Sequence, residues 1–378
     1  MSRRIRLGMV GGGEGAFIGA VHRIAARLDD RYELVAGALS STPEKAERSA
    51  RALGLARGYP DYATMAREEA KRPDGIEAVA IVTPNDQHAG PARAFLEAGV
   101  HVICDKPVTT TLADAKALKE LARARNRLFA VTHNYTGYPM VRHARRMVQE
   151  GQLGEIRVVQ VEYAQDWLTE RLEATGQKQA DWRTDPKRSG AGGCIGDIGT
   201  HAYNLVDFIT GLQVSELCAE VHTFVPGRAL DDNVQVMLRY ANGARGALWA
   251  SQVAPGNENG LRIRVYGSKG GIEWLQEHPN QLRWSPFGQP TQIVSRGTAA
   301  ANADAARVTR IPSGHPEGYL EGFATIYTEI AQAIEAAREG RALDAAVMFP
   351  TIDDGIQGVA FIEAAIASSR EGGRWVKP

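Results

Sequence analysis

Two segments of the 378-residue chain concentrate side chains able to move a proton or steady a developing charge. In Val102-Ile103-Cys104-Asp105-Lys106-Pro107-Val108 a lysine follows an apolar run and precedes a proline. At the carboxyl end of a parallel strand such a lysine faces the crevice where ligands bind, and the proline fixes the turn as a candidate cis bond. The second segment is Gly190-Ala191-Gly192-Gly193-Cys194-Ile195-Gly196-Asp197-Ile198-Gly199-Thr200-His201. With a helix starting near Cys194, Asp197 and His201 stand four apart on one face, where a carboxylate can orient an imidazole and bind a ligand hydroxyl. A capped helix with a structural histidine would carry the same residues. An aspartate and a histidine also suit a metal, but no third ligand stands nearby, so no metal is expected.

The stretch Gly8-Met9-Val10-Gly11-Gly12-Gly13-Glu14-Gly15-Ala16-Phe17-Ile18-Gly19 lies between a strand pattern and a helix pattern. That context suits a pyrophosphate, because glycines admit a close backbone approach and the helix start offers free N–H groups. Taking Gly11 and Gly13 as the first two glycines of G-x-G-x-x-G puts Gly19 three residues late, which predicts a longer loop. At the end of the next strand no acid stands ready for a ribose diol. Ser40, Ser41 and Thr42 suit either a hydroxyl or a 2′-phosphate, and Lys45 is the nearby cation. NAD and NADP both remain open.

Around the Asp197–His201 segment lie Asp166, Trp167, Trp182, Arg183, Asp185 and Lys187, a polar and aromatic mixture suited to a polyol whose C–H face stacks on rings. His315 and Tyr319, in a Gly-His-Pro-Glu-Gly-Tyr stretch, are further pocket candidates. No arginine cluster announces a phosphorylated or carboxylated substrate, so a neutral sugar or polyol is preferred.

These side chains need elements to hold them. From Ile5 to about Thr132 short apolar runs alternate with helical stretches, which argues a parallel sheet covered by helices on both faces. Beyond a boundary near Tyr135–Met140, seven strand patterns follow without intervening helices: Glu155–Ala164, Val214–Thr223, Val234–Tyr240, Ala244–Gln252, Leu261–Tyr266, Gly271–Leu275 and Gln281–Trp284. Asn242-Gly243 and Ser268-Lys269-Gly270-Gly271 read as turns between them. The expectation is an α/β chain with a dinucleotide-binding domain over residues 1–135 and a substrate-binding domain with a large, mostly antiparallel open sheet over residues 136–378. Helices are expected at Tyr319–Ala337 and Gly355–Ser369, and Ser295–Ser313 reads as a mobile loop.

Composition agrees with a globular protein, at 44% hydrophobic and 23% charged residues. Lys+Arg and Asp+Glu both number 44, so no net charge recommends a nucleic acid or an anionic membrane as partner. The N-terminal Met1-Ser2-Arg3-Arg4 leads into the glycine loop before any signal-like apolar run, and no run approaches the ~20 residues of a membrane helix. Three widely spaced cysteines fit a reducing compartment, and a cytoplasmic location is expected.

Taken in order, the glycine loop with His22, Thr83-Pro84-Asn85-x-x-His88, Asp105-Lys106-Pro107, Asn134-Tyr135 and Gly192-Gly193-x-x-x-Asp197-x-Gly-x-His201 resemble the glucose–fructose oxidoreductase / inositol dehydrogenase / MocA family over essentially the whole chain. The resemblance implies a Rossmann domain followed by an α/β domain with a large antiparallel sheet. It implies hydride transfer between a nicotinamide dinucleotide and a secondary alcohol of a sugar, anhydrosugar or inositol. Lys106 would steady the developing alkoxide and His201 would act as general acid/base with Asp197 beside it. Thr83, Asn85, His88 and Asp105 would line the cofactor, and Tyr135 the substrate. The chain departs from the family's pattern at Asp105, where glutamate is commoner, and at Asn204, where many members have aspartate. Two rival readings are a glycosidase that oxidises its sugar transiently and a cofactor-binding sensor without turnover. The open sheet face suggests a homodimer or homotetramer.

Overall fold

The computed structural model describes residues 3–378, so Met1 and Ser2 of the basic N-terminal stretch lie outside the described residues. By their internal contacts these residues divide into two compact units, 3–134 with 319–356, and 135–318 with 357–378.

The first unit alternates strand and helix: β1 (Ile5–Gly11), α1 (Phe17–Leu28), β2 (Tyr32–Ala38), α2 (Pro43–Ala52), β3 (Arg57–Gly58), α3 (Tyr62–Glu69), β4 (Ala78–Val82), α4 (Ala89–Glu97), β5 (His101–Cys104), α5 (Leu112–Ala124) and β6 (Phe129–Val131). The strands form one parallel sheet in the order β3-β2-β1-β4-β5-β6. All five residues of β4 are buried, as expected of a strand with helices on both sides. Strand order reverses between β1 and β4, so the carboxyl ends of these two strands flank the crevice where such sheets bind ligands. The glycine turn after β1 and Thr83 after β4 both stand there.

The second unit contributes α6 (Pro139–Gln149), β7 (Ile156–Ala164), α7 (Lys178–Arg183), α8 (Pro186–Ser189), α9 (Thr200–Thr210), β8 (Val214–His222), β9 (Asn233–Tyr240), β10 (Arg245–Ser251), β11 (Gly260–Gly267), β12 (Gly270–Leu275), β13 (Gln281–Pro286), β14 (Gln292–Ser295) and α10 (Ala303–Arg307). Its eight strands run β14-β13-β12-β11-β7-β10-β9-β8, antiparallel throughout except where β7 and β10 lie parallel. Alternate residues enter one core: Val159, Val161 and Tyr163 of β7, Ile263 and Val265 of β11, Leu248 of β10, with Leu205 and Ile209 of α9. The period of two thus turns β7 so that Tyr163 faces the side on which α9 packs.

Two helices close the chain, α11 (Tyr319–Glu339) and α12 (Ile352–Arg370). The sequence reading places α11 in the substrate-binding domain, whereas its Phe323, Ile326, Tyr327, Ile330 and Ile334 share a core with Ile5, Leu7, Val21, Tyr32 and Ala80 of the first unit. Ser295–Ser313 also departs from expectation. Arg296, 2% exposed, donates to Glu317 at 2.9 Å and to the carbonyl of Ile311, and Asn302 caps α10 through the Ala305 N–H. A buried ion pair and a capped helix make this an ordered structure where a mobile loop was expected.

Candidate active site

The turn after β1 is built by its glycines. Gly11 and Gly12 have φ of 78° and 72°, the left-handed region that only glycine enters without cost. A Cβ on Gly19 would stand 2.4 Å from the backbone of Gly12, so the third glycine of the motif lets α1 approach the turn directly. The extra residues extend the loop before α1 while Gly19 keeps the close-packing role in the helix's first turn. Ala16, the N-cap of α1, offers no side-chain acceptor, and the first turn holds no acid. Such a helix start suits an anionic pyrophosphate, so the residues present fit a dinucleotide. Following β2, Ser40 is half-buried, Ser41 is exposed, and Lys45 is half-buried within the first turns of α2.

At the ends of β4 and β5 the side chains interlock. Asn85 is buried, and the Thr83 hydroxyl donates to the Gln87 carbonyl at 2.9 Å. His88, expected from the resemblance to line the cofactor, is 1% exposed, with Nδ1 2.8 Å from the Pro107 carbonyl and Nε2 2.9 Å from the Thr83 carbonyl. Both ring nitrogens are engaged by backbone, so His88 ties the loop carrying Thr83 to the loop carrying Lys106. The Lys106–Pro107 peptide is cis. Asp105 accepts the Thr132 hydroxyl at 2.8 Å and the Lys106 backbone N–H at 3.1 Å. Behind it His22, fully buried, contacts the Tyr327 hydroxyl at 2.8 Å. Burial, with the Lys106 ammonium nearby, pushes the buried His133 imidazole down to about 3, so it is neutral at physiological pH.

In the second unit the predicted helix starts with one π-helical turn, Ile195–Gly199, before α9 continues from Thr200. Its start is clamped by the Asp231 carboxylate, which accepts the N–H groups of Gly193 at 2.6 Å and Ile195 at 2.8 Å. Asp197 is fixed from two sides. The Gln252 amide donates to its Oδ2 at 2.8 Å, and Arg183 Nε stands 3.3 Å from the same oxygen. Arg183 in turn stacks over Trp182, 4.2 Å from its ring centre. His201, 8% exposed, packs edge-on against the Tyr135 ring with centroids 4.9 Å apart. A glycine makes the Asp231 clamp possible: a Cβ on Gly193 would meet the Asp231 carbonyl at 2.3 Å.

Of the remaining candidates, Trp167 is half-buried and donates from Nε1 to Gln165 at 3.1 Å. The buried Tyr135 hydroxyl lies 2.5 Å from that of Tyr163, so it is already engaged within the protein. Asp185 caps α8 and Lys187 is exposed, which gives both a structural explanation. His315 has an exposed side chain, and its carbonyl accepts from Arg296. Gln252, Asn259 and Asp231 are the residues that the sequence reading misses. Each is an isolated amide or acid outside any motif, and only strand register brings it to the site. No group of metal-ligating side chains is found among the described residues, and no described helix is long and apolar enough to cross a membrane.

Comparison with known proteins identifies this arrangement. Residues 5–133 match the model of an oxidoreductase family with an NAD-binding Rossmann fold, and residues 141–273 match the GFO/IDH/MocA C-terminal domain. The chain is 39% identical to the oxidoreductase YfiI of Bacillus subtilis, over 100% of this chain and 98% of that one. It is 57% identical to an oxidoreductase of Sinorhizobium meliloti of known crystal structure, with a TM-score of 0.91 and full coverage of both chains. An inositol dehydrogenase homolog from Azotobacter vinelandii, solved with NADH and myo-inositol, is 40% identical with a TM-score of 0.94, covering 100% of this chain and 98% of that one. With its parallel sheet, glycine turn and mostly antiparallel second sheet, this chain belongs to the GFO/IDH/MocA family of NAD-binding oxidoreductases.

Proposed function

We propose that the protein is a dehydrogenase that interconverts a secondary alcohol and a ketone on a cyclitol or sugar. The observation that carries the reading is the Asp197 carboxylate, fixed by Gln252 and Arg183 on the helix that presents His201. A bound nicotinamide supplies the acceptor or donor for the hydride. In the oxidative direction His201 takes the hydroxyl proton on a ring nitrogen, so carbon loses hydride and oxygen loses its proton without a free alkoxide. Lys106 steadies the charge that develops on that oxygen, and Asp197 holds the imidazole's surroundings or a neighbouring hydroxyl. The reduction uses the same groups in reverse. Likeness to the homolog solved with myo-inositol favours a neutral polyhydroxylated ring as substrate.

His88 is a positioning residue for the two loops in this reading, and Tyr135 positions His201 by ring packing. Ser40, Ser41, Thr42 and Lys45 would hold the adenosine ribose and Thr83, Asn85 and Asp105 the nicotinamide half, and both NAD and NADP are tested as cofactors. The outer face of the second sheet, with Met237 54% and Ile293 62% exposed, is the surface through which copies would pair into a dimer or tetramer. Light scattering on the purified protein tests that pairing.

The deciding experiment follows nicotinamide absorbance with inositols, aldoses and anhydrosugars, for the wild type, Lys106→Ala and His201→Asn. Turnover of a polyol that falls by a factor on the order of 10² to 10⁴ in both variants supports the proposal. Near-normal turnover in either variant refutes the role of that residue.

A further inference from the structure

We propose that Asn259 and Tyr163 are positioning residues for the acid/base His201, acting through a closed ring of hydrogen bonds that locks Tyr135 against the imidazole. The inference rests on the role proposed for His201 above. It starts from register. β11 pairs with β7 so that Gly260 lies opposite Ala164, which places Asn259, one residue before β11, opposite Gln165, one residue after β7. Tyr163, two residues earlier on β7, points to the core face.

Proton counting orients the ring. The Tyr163 hydroxyl donates its single proton to Asn259 Oδ1 at 2.8 Å. The 2.5 Å contact between the hydroxyls of Tyr135 and Tyr163 therefore carries the Tyr135 proton. The Asn259 amide closes the circuit by donating from Nδ2 to the Tyr135 oxygen at 3.4 Å. Tyr135 has thus spent its only proton inside the protein and cannot donate one to a substrate. What it offers the site is its ring, edge-on to His201 with centroids 4.9 Å apart, with the Tyr163 ring 6.3 Å away on a tilt. An aromatic side chain fixed at its far end by hydrogen bonds holds a packed imidazole more tightly than one free to rotate about its χ angles.

The same amide also connects to Trp167. Asn259 Oδ1 also accepts from Gln165 Nε2 at 2.8 Å, and Gln165 Oε1 accepts the Trp167 indole N–H at 3.1 Å. One residue outside every motif therefore links the base to the tryptophan expected to stack on a polyol.

Two near-isosteric variants separate the links. Asn259→Asp keeps the acceptor for Tyr163 and Gln165 but removes the donor to Tyr135 and adds a negative charge behind the ring. That charge favours imidazolium, so the acidic limb of the kcat profile for polyol oxidation moves up by on the order of one pH unit. Tyr163→Phe removes the middle hydroxyl and adds no charge. Turnover is expected to fall about tenfold with the KM for polyol and the acidic limb unchanged, because Gln165 and Trp167 keep their bonds. The dissociation constant of NADH, read by fluorescence, reports on the first unit and is expected to match the wild type in both. Unaltered kcat and pH profile in the two variants, with His201→Asn inactive, overturns this inference and leaves the function standing. An active His201→Asn instead overturns the acid/base role of His201 on which the inference rests. Should Asn259→Asp fail to accumulate folded, Tyr163→Phe decides alone, and wild-type kcat there overturns the inference.

Discussion

Asp231 should make this protein less stable as pH rises through the weakly acidic range, and replacing it with asparagine should erase that dependence. Its carboxyl group is buried at the start of the helix bearing Asp197 and His201. Burial pushes it up to about 6, against an ordinary 3.8, even though the N–H groups of Ile195 and Gly193 pull in the opposite sense. Between those values the folded chain holds a proton that the unfolded chain has released. Unfolding free energy therefore falls as pH rises from about 4 to 6, and is flat on either side as far as this group is concerned. A displacement of roughly two units corresponds to about 3 kcal/mol over the window. The amide of an Asp231→Asn variant would carry no charge to desolvate, yet it would accept only one N–H well and leave the other facing its NH₂ group. That loss, about 1–3 kcal/mol, applies at every pH. The test is urea denaturation of the wild type and Asp231→Asn at intervals from pH 4 to 7.5. The variant should be less stable at pH 4 and should recover relative to the wild type by about 3 kcal/mol toward neutrality. A stability difference that stays constant across the series, or grows with pH, refutes the reasoning.

Gly19→Ala would put a methyl 2.4 Å from the Gly12 backbone. We expect at least a tenfold loss of NADH affinity by fluorescence titration, with about 1–3 kcal/mol of stability lost to overpacking. Arg296→Met would leave the buried Glu317 carboxylate without its guanidinium. Removing one partner of such a pair costs about 3–5 kcal/mol, measured as a lower urea midpoint, while Arg296→Met with Glu317→Gln should recover part of it.

Much of the first unit was legible because its strands are short apolar runs closed by glycine or by turn residues. Gly99, just past the end of α4, has a φ of 78°, and β4 ends where Thr83-Pro84 begins. The period of two in β7 to β13 gave the second sheet. What escaped shares a physical cause. Arg296 falls in the stretch expected to be a mobile loop, yet it is buried as a pair with Glu317, so β14 and α10 were hidden within a polar stretch. The apolar spacing of α11 reveals that one face is buried but carries no address for that face. Among the candidate residues, Lys106, Asp197 and His201 stand out because turns and glycines frame them. Gln252 and Asn259 are single amides whose partners lie 55 and 96 positions away, and no local pattern encodes a contact made by strand register.

The return of α11 to the first unit sets a timetable for the newborn chain. The Tyr32 hydroxyl waits for the Tyr327 carbonyl, 295 positions further on, and His22 for the Tyr327 hydroxyl. A ribosome must therefore deliver nearly nine-tenths of the polypeptide before the nucleotide-binding core can be sealed. Until then Val21, Ala25 and the neighbouring strand residues lack the helix that covers them. Nascent chains stalled before Phe323 should recruit a holdase, and a circular permutant that begins with α11 should shed that dependence.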